Sequence, residues 1–325
     1  MSYDYLYKSG ELAKRVERLW QRLAACDICP RQCGVNRLIG RTGFCHSGHL
    51  PIVSSFCDHH GEEPVLSGSR GSGTIFFGNC NLKCCYCQNH QISQNYRYQK
   101  NNMIDHDALA GYMLYLQNSL GCHNINFVSP SHFVPQIAKA LLEAIPMGLK
   151  IPLVYNTNSF DSTETLKELA GIIDIYLPDL KYASDRYAQR FSKAHRYVIH
   201  SRNAIKEMYR QVGELVVDNH GVAQRGLILR HLVLPNNIAG SRQSFKWLAE
   251  EVSPHVTISL MSQYHPVHKA YNHLPLARPI NNAEYTEALQ AMEEAGLGEG
   301  WAQDLVSHKH YIPDFERKSH PFEFI

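Results

Sequence analysis

The sequence predicts an α/β fold, a partial (β/α)6 barrel of TIM type with a cysteine-rich N-terminal extension. Two observations predict it. Six apolar, β-prone runs recur along the chain, at Thr74 to Phe77, Asn124 to Val128, Pro152 to Tyr155, Ile172 to Leu177, Gly226 to Leu234 and Val256 to Met261. Helix-like segments are interleaved with them, at His106 to Ser119, Ser131 to Ala144, Ser162 to Ala170, Ser241 to Val252 and Glu284 to Gly296. Alternating strand and helix imply right-handed parallel crossovers, and six repeats fall short of the eight that close a barrel. Residues 1–66 then form an N-terminal helix and cysteine-rich metal-binding extension, 67–280 the partial barrel, and 281–325 a C-terminal helix and tail packed on it.

In chain order, Glu11 to Ala24 places Leu12, Val16, Leu19, Trp20 and Leu23 on one helical face that docks on the main body. Cys26, Cys29, Cys33 and Cys45 follow in the spacing C-x2-C-x3-C-x11-C, with Pro30 and Gly34 to turn the backbone. Four such thiols can close a metal shell, and structural zinc or an auxiliary 4Fe-4S cluster both fit the spacing. Cys57 to Glu63 is expected to be a loop, and Ser67 to Gly73 a flexible approach to the first strand. This glycine run precedes its strand and lacks the lysine of a phosphate-binding loop. Asp161 followed by Glu164 has the form of a capping box, and Val216 to Val222 that of a hairpin inserted before the fifth strand.

Composition narrows the function. A net charge of +2 on 325 residues, with 44% hydrophobic and 19% charged, gives no electrostatic reason to expect nucleic acid or an anionic membrane as partner. Ala108 to Ala138 has no Asp, Glu, Lys or Arg, but Asn118, Asn124, Asn126, Pro130 and Pro135 interrupt it, so no spanning helix of roughly 20 apolar residues is expected. The N-terminus does not have the form of a secretory signal. Ten cysteines without such a signal point to a reducing compartment, by default the cytoplasm, where clustered thiols serve metal or redox chemistry.

The first strand runs into Gly78-Asn79-Cys80-Asn81-Leu82-Lys83-Cys84-Cys85-Tyr86-Cys87. Cys80, Cys84 and Cys87 fall in the spacing C-x3-C-x2-C, which suits a soft metal or an iron-sulfur cluster. Three ligands on a four-iron cluster leave one iron open to a small molecule. Cys85, pointing away from its neighbour, and Cys122, at the opposite end of the next strand, are expected to be non-ligands. A zinc knuckle is the competing reading; a ferredoxin-like electron carrier and a zinc-organised binding protein are the other functional classes. Polar residues end the apolar runs, at the face where βα barrels carry their chemistry. They are Ser129-Pro130-Ser131-His132, Asn156-Thr157-Asn158, Asp179-Leu180-Lys181, Arg230, and Gln263-Tyr264-His265. With 19 histidines in the chain, His220, His255, His308, His310 and His320 are expected at the surface.

The cysteine spacing, the aromatic Tyr86 and the preceding strand together resemble the defining motif of the radical S-adenosylmethionine enzymes. That resemblance implies a 4Fe-4S cluster on Cys80, Cys84 and Cys87, S-adenosylmethionine bound at the open iron with Tyr86 by its adenine, and a 5′-deoxyadenosyl radical that abstracts hydrogen. Cys26 to Arg37, Gly61 to Pro64, Ser67-Gly68, Tyr155 to Asn158, Ile175 to Tyr182, Arg230 to Pro235 and Ile258 to Tyr264 further resemble the PflX group, relatives of pyruvate formate-lyase activating enzyme. By that resemblance Asp179 and Lys181 contact the cofactor and a nearby cation, Arg230 and His265 contact the cofactor, and Asn156 takes the place of an acidic residue. Ser129-Pro130-Ser131 replaces the Gly-Gly-Glu of the activating enzyme, so the methionine amine is held differently. A flavodoxin or ferredoxin-type electron donor and a protein substrate entering the barrel's open side are implied in the same way.

Overall fold

The computed structural model describes residues 1–305, 313–317 and 320–322. Two helices open the chain, α1 (Ser2–Lys8) and α2 (Glu11–Gln21). Leu12, Val16 and Leu19 are buried along one face of α2, as their spacing requires. Arg15 donates to the carbonyls of Glu168 and Ala170, and Arg18 pairs with the Glu168 carboxylate at 2.8 Å, which docks the helix on the body.

After the cysteine-rich segment come β1 (Val53–His59), the short α3 (Pro64–Ser67) and β2 (Ser72–Phe77). The cysteine loop leads to α4 (His90–Ser93) and α5 (Tyr96–Gln99). Regular alternation follows, with α6 (His106–Asn118), β3 (Ile125–Val128), α7 (Val134–Ala144), β4 (Leu153–Thr157), α8 (Thr163–Glu168) and β5 (Ile175–Pro178). Two helices, α9 (Asp185–Ser192) and α10 (Tyr197–Val212), precede the hairpin of β6 (Val216–Val217) and β7 (Ala223–Leu232). The last elements are α11 (Ser241–Glu251), β8 (Thr257–Met261), α12 (Asn282–Glu294) and β9 (Gly300–Ala302).

The strands form one sheet in the order β1-β2-β3-β4-β5-β7-β8-β9, with β6 pairing β7. β1 pairs antiparallel with β2, and every neighbour from β2 to β9 along this path is parallel. The parallel set therefore holds the six expected strands and a short seventh, β9. Side chains alternate between the two faces. Ile75, Phe77, Ile125, Phe127, Leu153, Tyr155, Leu227, Leu229, Ile258 and Leu260 join the main core with residues of α2, α6, α7 and α11. On the other face Val154, Ile175, Leu177 and Ile228 close on Leu66 and Ala223. Further along that face, toward the strands' carboxyl ends, Val128, Asn156, Arg230, Ser259 and Met261 line a cavity. Among the described residues no helix is long and apolar enough to cross a membrane.

Several expectations need correction. Cys57, Asp58 and His59 belong to β1 and pair with Thr74, Gly73 and Ser72, so most of that expected loop's first half is an edge strand. The approach to the first strand is held rather than loose: Gly71 N–H donates to Ser67 O at 2.7 Å, and Ser72 and Gly73 are buried within β2. Asp161 does not cap α8. Its buried carboxyl accepts from Tyr155 and Thr157, and burial raises its pKa. The capping box belongs instead to Asn281 and Glu284 at α12. His320 is half-buried, its Nε2 3.0 Å from Asp58 O, while His308 and His310 lie outside the described residues.

Asp174, just before β5, accepts from Leu153 N–H at 3.0 Å, and burial pushes its carboxyl up to about 6. A carboxyl with a raised folded-state pKa binds its proton more tightly when folded, so its contribution is present at pH below 4 and is lost as pH climbs through about 6. Asp174→Asn keeps the acceptor and removes the charge. It is expected to be more stable than the parent at pH 7, on the order of 2 kcal/mol, with the difference vanishing near pH 4. Urea midpoints at the two pH values check this, and a difference that does not change with pH contradicts it.

Candidate active site

The cysteine loop starts at a close turn. A Cβ on Gly78 would fall 2.4 Å from Gln99 Oε1 and 2.5 Å from Ile52, and Asn79 takes φ 66° while its buried amide donates to Ser47 Oγ at 3.2 Å. Asn is one of the few side chains that visits this left-handed region readily. Asn81 then donates to Phe160 O at 2.7 Å and accepts from Asn158 at 2.8 Å, fastening the loop over the end of β4. The last turn of α9 holds the other half: Phe191 O and Ser192 O accept from Cys85 N–H and Lys83 N–H.

Each motif thiol meets a hydrogen-bonding group. Cys80 Sγ accepts from Leu82 N–H at 3.4 Å and from Asn158 Nδ2 at 3.5 Å; Cys84 Sγ accepts from Ser192 Oγ at 3.0 Å; Cys87 Sγ lies 3.2 Å from Ser93 Oγ. Burial pushes the Cys80 thiol up to about 11, against the Leu82 N–H, and the Cys87 thiol up to about 12. A soft metal deprotonates such ligands on binding, and the donors then face thiolate sulfur. Among the described residues no three His, Cys, Asp or Glu side chains are grouped to hold a single metal ion.

All three thiols open on one cavity of about 570 Å³, within the usual range for small-molecule sites. Tyr86, Ser129, Asn156, Asn158, Asp179, Lys181 and Arg230 share its wall. Tyr86 donates to Tyr182 OH at 2.6 Å, and Tyr182 lies 2.7 Å from Ser192 Oγ, so the aromatic and the Cys84 donor belong to one buried chain. Lys181 Nζ lies 2.6 Å from Asp179 Oδ2; burial lowers its pKa, and Asp179 outweighs that and holds it well above the ordinary lysine value. Tyr197 OH ties this pair to β4 by donating to the carbonyls of Asn158 and Asp179.

Arg230 is engaged by groups that sequence reasoning passed over. It forms a bidentate pair with Glu63, both contacts 2.7 Å, and a further ion pair with Glu62, while Asn156 Oδ1 lies 3.5 Å away. Burial would raise the Glu63 carboxyl, but the Arg230 guanidinium outweighs it and holds the group below the ordinary carboxylate range. Glu62 and Glu63 end the segment expected to be a loop, and they do lie between β1 and α3. The available signal was Arg230 itself, because a cation inside an apolar strand demands a carboxylate partner. From the segment after β8, Gln263 lines the cavity; His265 is half-buried and is not among the described lining residues. Ser131 and His132 stand behind the wall, bonded to Thr157 and to Gly78 O.

Cys85 faces a separate groove lined by Lys83, Arg190, Lys193 and Lys269. Cys122 lies beside Gly73 at the amino end of β2. Cys26, Cys29, Cys33 and Cys45 surround a narrow space of their own, together with Arg31, Arg37 and His132.

The chain is similar to several known proteins. An uncharacterized protein from Methanocaldococcus jannaschii is 29% identical over 276 residues, covering 84% of this chain and 75% of that protein. A radical SAM methyltransferase from Sphaerobacter thermophilus aligns with TM-score 0.46 and 10% identity, over 71% of this chain and 66% of that one, just under two thirds of its length. A structure of TYW1 with a lysine-pyruvate adduct bound aligns with TM-score 0.40 and 12% identity, over 68% of this chain and 73% of that one. The Radical SAM superfamily model matches residues 74–223, from within β2 through the cysteine loop, Asn156, Asp179 and Lys181 to the start of β7. The stretch that carries the cysteine loop is thus a Radical SAM superfamily domain, which implies an enzyme that cleaves S-adenosylmethionine reductively at a 4Fe-4S cluster.

Proposed function

We propose that the protein holds this cluster on Cys80, Cys84 and Cys87, binds S-adenosylmethionine in the adjoining cavity, and uses the resulting radical to abstract hydrogen in the manner of the glycyl-radical activating enzymes, to which the PflX group is related. One observation carries the reading: three thiols, each with a hydrogen-bonding neighbour, face a cavity lined by four carboxylates, Glu62, Glu63, Asp179 and Asp304, against two cations, Lys181 and Arg230. When bound, the cluster and S-adenosylmethionine supply one-electron cleavage of a carbon–sulfur bond to a 5′-deoxyadenosyl radical.

The chain's own residues do the rest. The excess of carboxylates opposes the positive charge of a sulfonium ligand. Ser129, Asn156 and Asn158 offer hydroxyl and amide groups to a ribose and a carboxylate, and Val128, Leu232 and Met261 give the wall an apolar side that keeps water from a reactive intermediate. Asp179 and Lys181, locked together and tied through Tyr197, position one flank of the ligand. Lys83, Arg190, Lys193 and Lys269 surround Cys85 on the outer side of the same loop, and their charge suits an acidic electron donor of the flavodoxin or ferredoxin type. The open path of the sheet supports the partial-barrel reading and leaves a side through which a polypeptide could reach the cavity.

Two experiments test this reading. Asp179→Ala and Lys181→Ala are expected to weaken S-adenosylmethionine binding at least tenfold while iron content stays at the parent level; unchanged affinity in both makes the pair structural. For the hydrogen donor, the reduced enzyme is incubated with deuterated cell extract separated by size. Deuterium is expected in 5′-deoxyadenosine from the macromolecular fraction, and transfer from the small-molecule fraction alone defeats the protein-substrate reading.

A further inference from the structure

The chain leaves the sheet at one edge and packs again at the other. β9 ends the path of strands and β1 begins it, so the open side of the sheet lies between these two. Past β9, the described tail residues 313–317 and 320–322 sit against β1 and β2. Phe315 and Phe322 pack on Cys57, Phe76, Ile92 and Val128, a cluster separate from the main core that the two aromatics complete. Phe322 stacks on His59 with ring centroids 3.9 Å apart, and Phe315 meets Phe76 edge-on at 5.1 Å.

Polar contacts fix the same segment. Gln91 of α4 grips it both ways, donating to Asp314 Oδ1 at 3.2 Å and accepting from Phe315 N–H at 2.9 Å. His320 Nε2 lies 3.0 Å from Asp58 O on β1, and within the tail Asp314 N–H donates to Pro321 O at 2.7 Å. The neighbouring Ser93 of α4 faces Cys87, so the helix that anchors the tail also borders the cysteine loop. The site cavity touches all three parts: His59 and Phe76 from β1 and β2, Trp301 and Ala302 from β9, and Pro313 and Phe322 from the tail.

We infer that the C-terminal tail is a strap that closes the open side of the sheet over the site cavity and limits the size of ligand that can enter there. The described tail residues form no helix or strand, so side-chain anchors hold the strap and it can lift without breaking the sheet. A polypeptide substrate would have to displace it. That consequence rests on the function proposed above, whereas the strap itself does not.

Cys57 is the reporter, because it lies beneath the two aromatics and burial pushes its thiol up to about 12. Alkylation needs the thiolate and an open approach, so uncovering Cys57 speeds it. The full chain, reconstituted with its cluster, is treated with N-ethylmaleimide or with a maleimide carried on a polyethylene glycol chain, and peptide mass spectrometry follows each cysteine. In the Phe315→Ala, Phe322→Ala double variant both reagents are expected to label Cys57 at least about tenfold faster than in wild type. Cys122, in the main core beside Leu116 of α6, keeps its wild-type rate. His320→Ala, which removes the anchor to Asp58, shifts Cys57 the same way by a smaller factor and decides the matter if the double variant does not fold. Equal Cys57 rates in wild type and variants overturn the strap, and so does ready labelling of wild-type Cys57 by the polymer reagent. No S-adenosylmethionine is added, so a failure here and a failure of the cleavage chemistry are read separately.

Discussion

Cys80→Ala, Cys84→Ala and Cys87→Ala each abolish S-adenosylmethionine cleavage, at least ~1,000-fold, whereas Cys85→Ala retains it. The expectation follows from what each sulfur faces. Cys80, Cys84 and Cys87 all line the cavity, and each has its own neighbour, Asn158, Ser192 or Ser93. A ligand removed from a three-cysteine cluster has no substitute on the same wall, because Cys85 opens on the basic groove behind the loop and Cys122 lies at the far end of β2. Iron content, the cluster's visible absorbance and 5′-deoxyadenosine formation report the outcome together. If Cys85→Ala loses the cluster and Cys84→Ala keeps it, the ligand register is wrong.

The largest stability effect is expected at Arg230. Replacing it with Ala leaves the Glu62 and Glu63 carboxylates buried without their cation, a change that typically costs about 3–5 kcal/mol. At roughly 2–4 °C per kcal/mol for a domain of moderate size, the melting temperature drops by about 6–20 °C. The sign of the pH dependence follows from Glu63, whose carboxyl Arg230 holds below its ordinary value of 4.5. A depressed carboxyl contributes stability above its unfolded pKa and loses it as pH falls through the folded value. The gap between wild type and Arg230→Ala therefore narrows as pH falls below 4.5, and Glu62→Gln with Glu63→Gln in the Arg230→Ala background recovers part of the loss at pH 7. A melting temperature within about 1 °C of wild type for Arg230→Ala shows that the triad is solvated and not structural.

The parallel strands were legible because a strand buried on both faces reads as a largely apolar run, as Ile175–Pro178 does and as Ile125–Val128 does around its single Asn126. β1 was not, since its Ser54, Ser55 and Asp58 break the run and its place is set by pairing with β2. Helix α10 was also missed: Ser201, Ala204 and Glu207 lie on its buried face among Tyr197, Ile205, Met208 and Val212 and interrupt the apolar stripe. At the site, Asn156, Asp179, Lys181 and Arg230 could be picked out as polar residues that interrupt or end apolar runs, and the structure brings them to one cavity with the cysteine loop. His265 was picked out the same way and is half-buried past β8, where Gln263 lines the cavity. Glu62, Glu63 and Ser192 escaped notice because their roles depend on partners far along the chain: Arg230 lies 167 positions from Glu63, and Cys84 108 from Ser192.

The central claim is that the Cys80–Cys84–Cys87 centre cleaves S-adenosylmethionine. The direct measurement is to reconstitute the full chain anaerobically, reduce it, add S-adenosylmethionine and separate the products by chromatography. The account predicts 5′-deoxyadenosine and methionine in equal amounts, formed only when the cluster is both present and reduced. A chain that binds iron and takes up an electron yet leaves S-adenosylmethionine intact would be an electron carrier, and the account would be wrong.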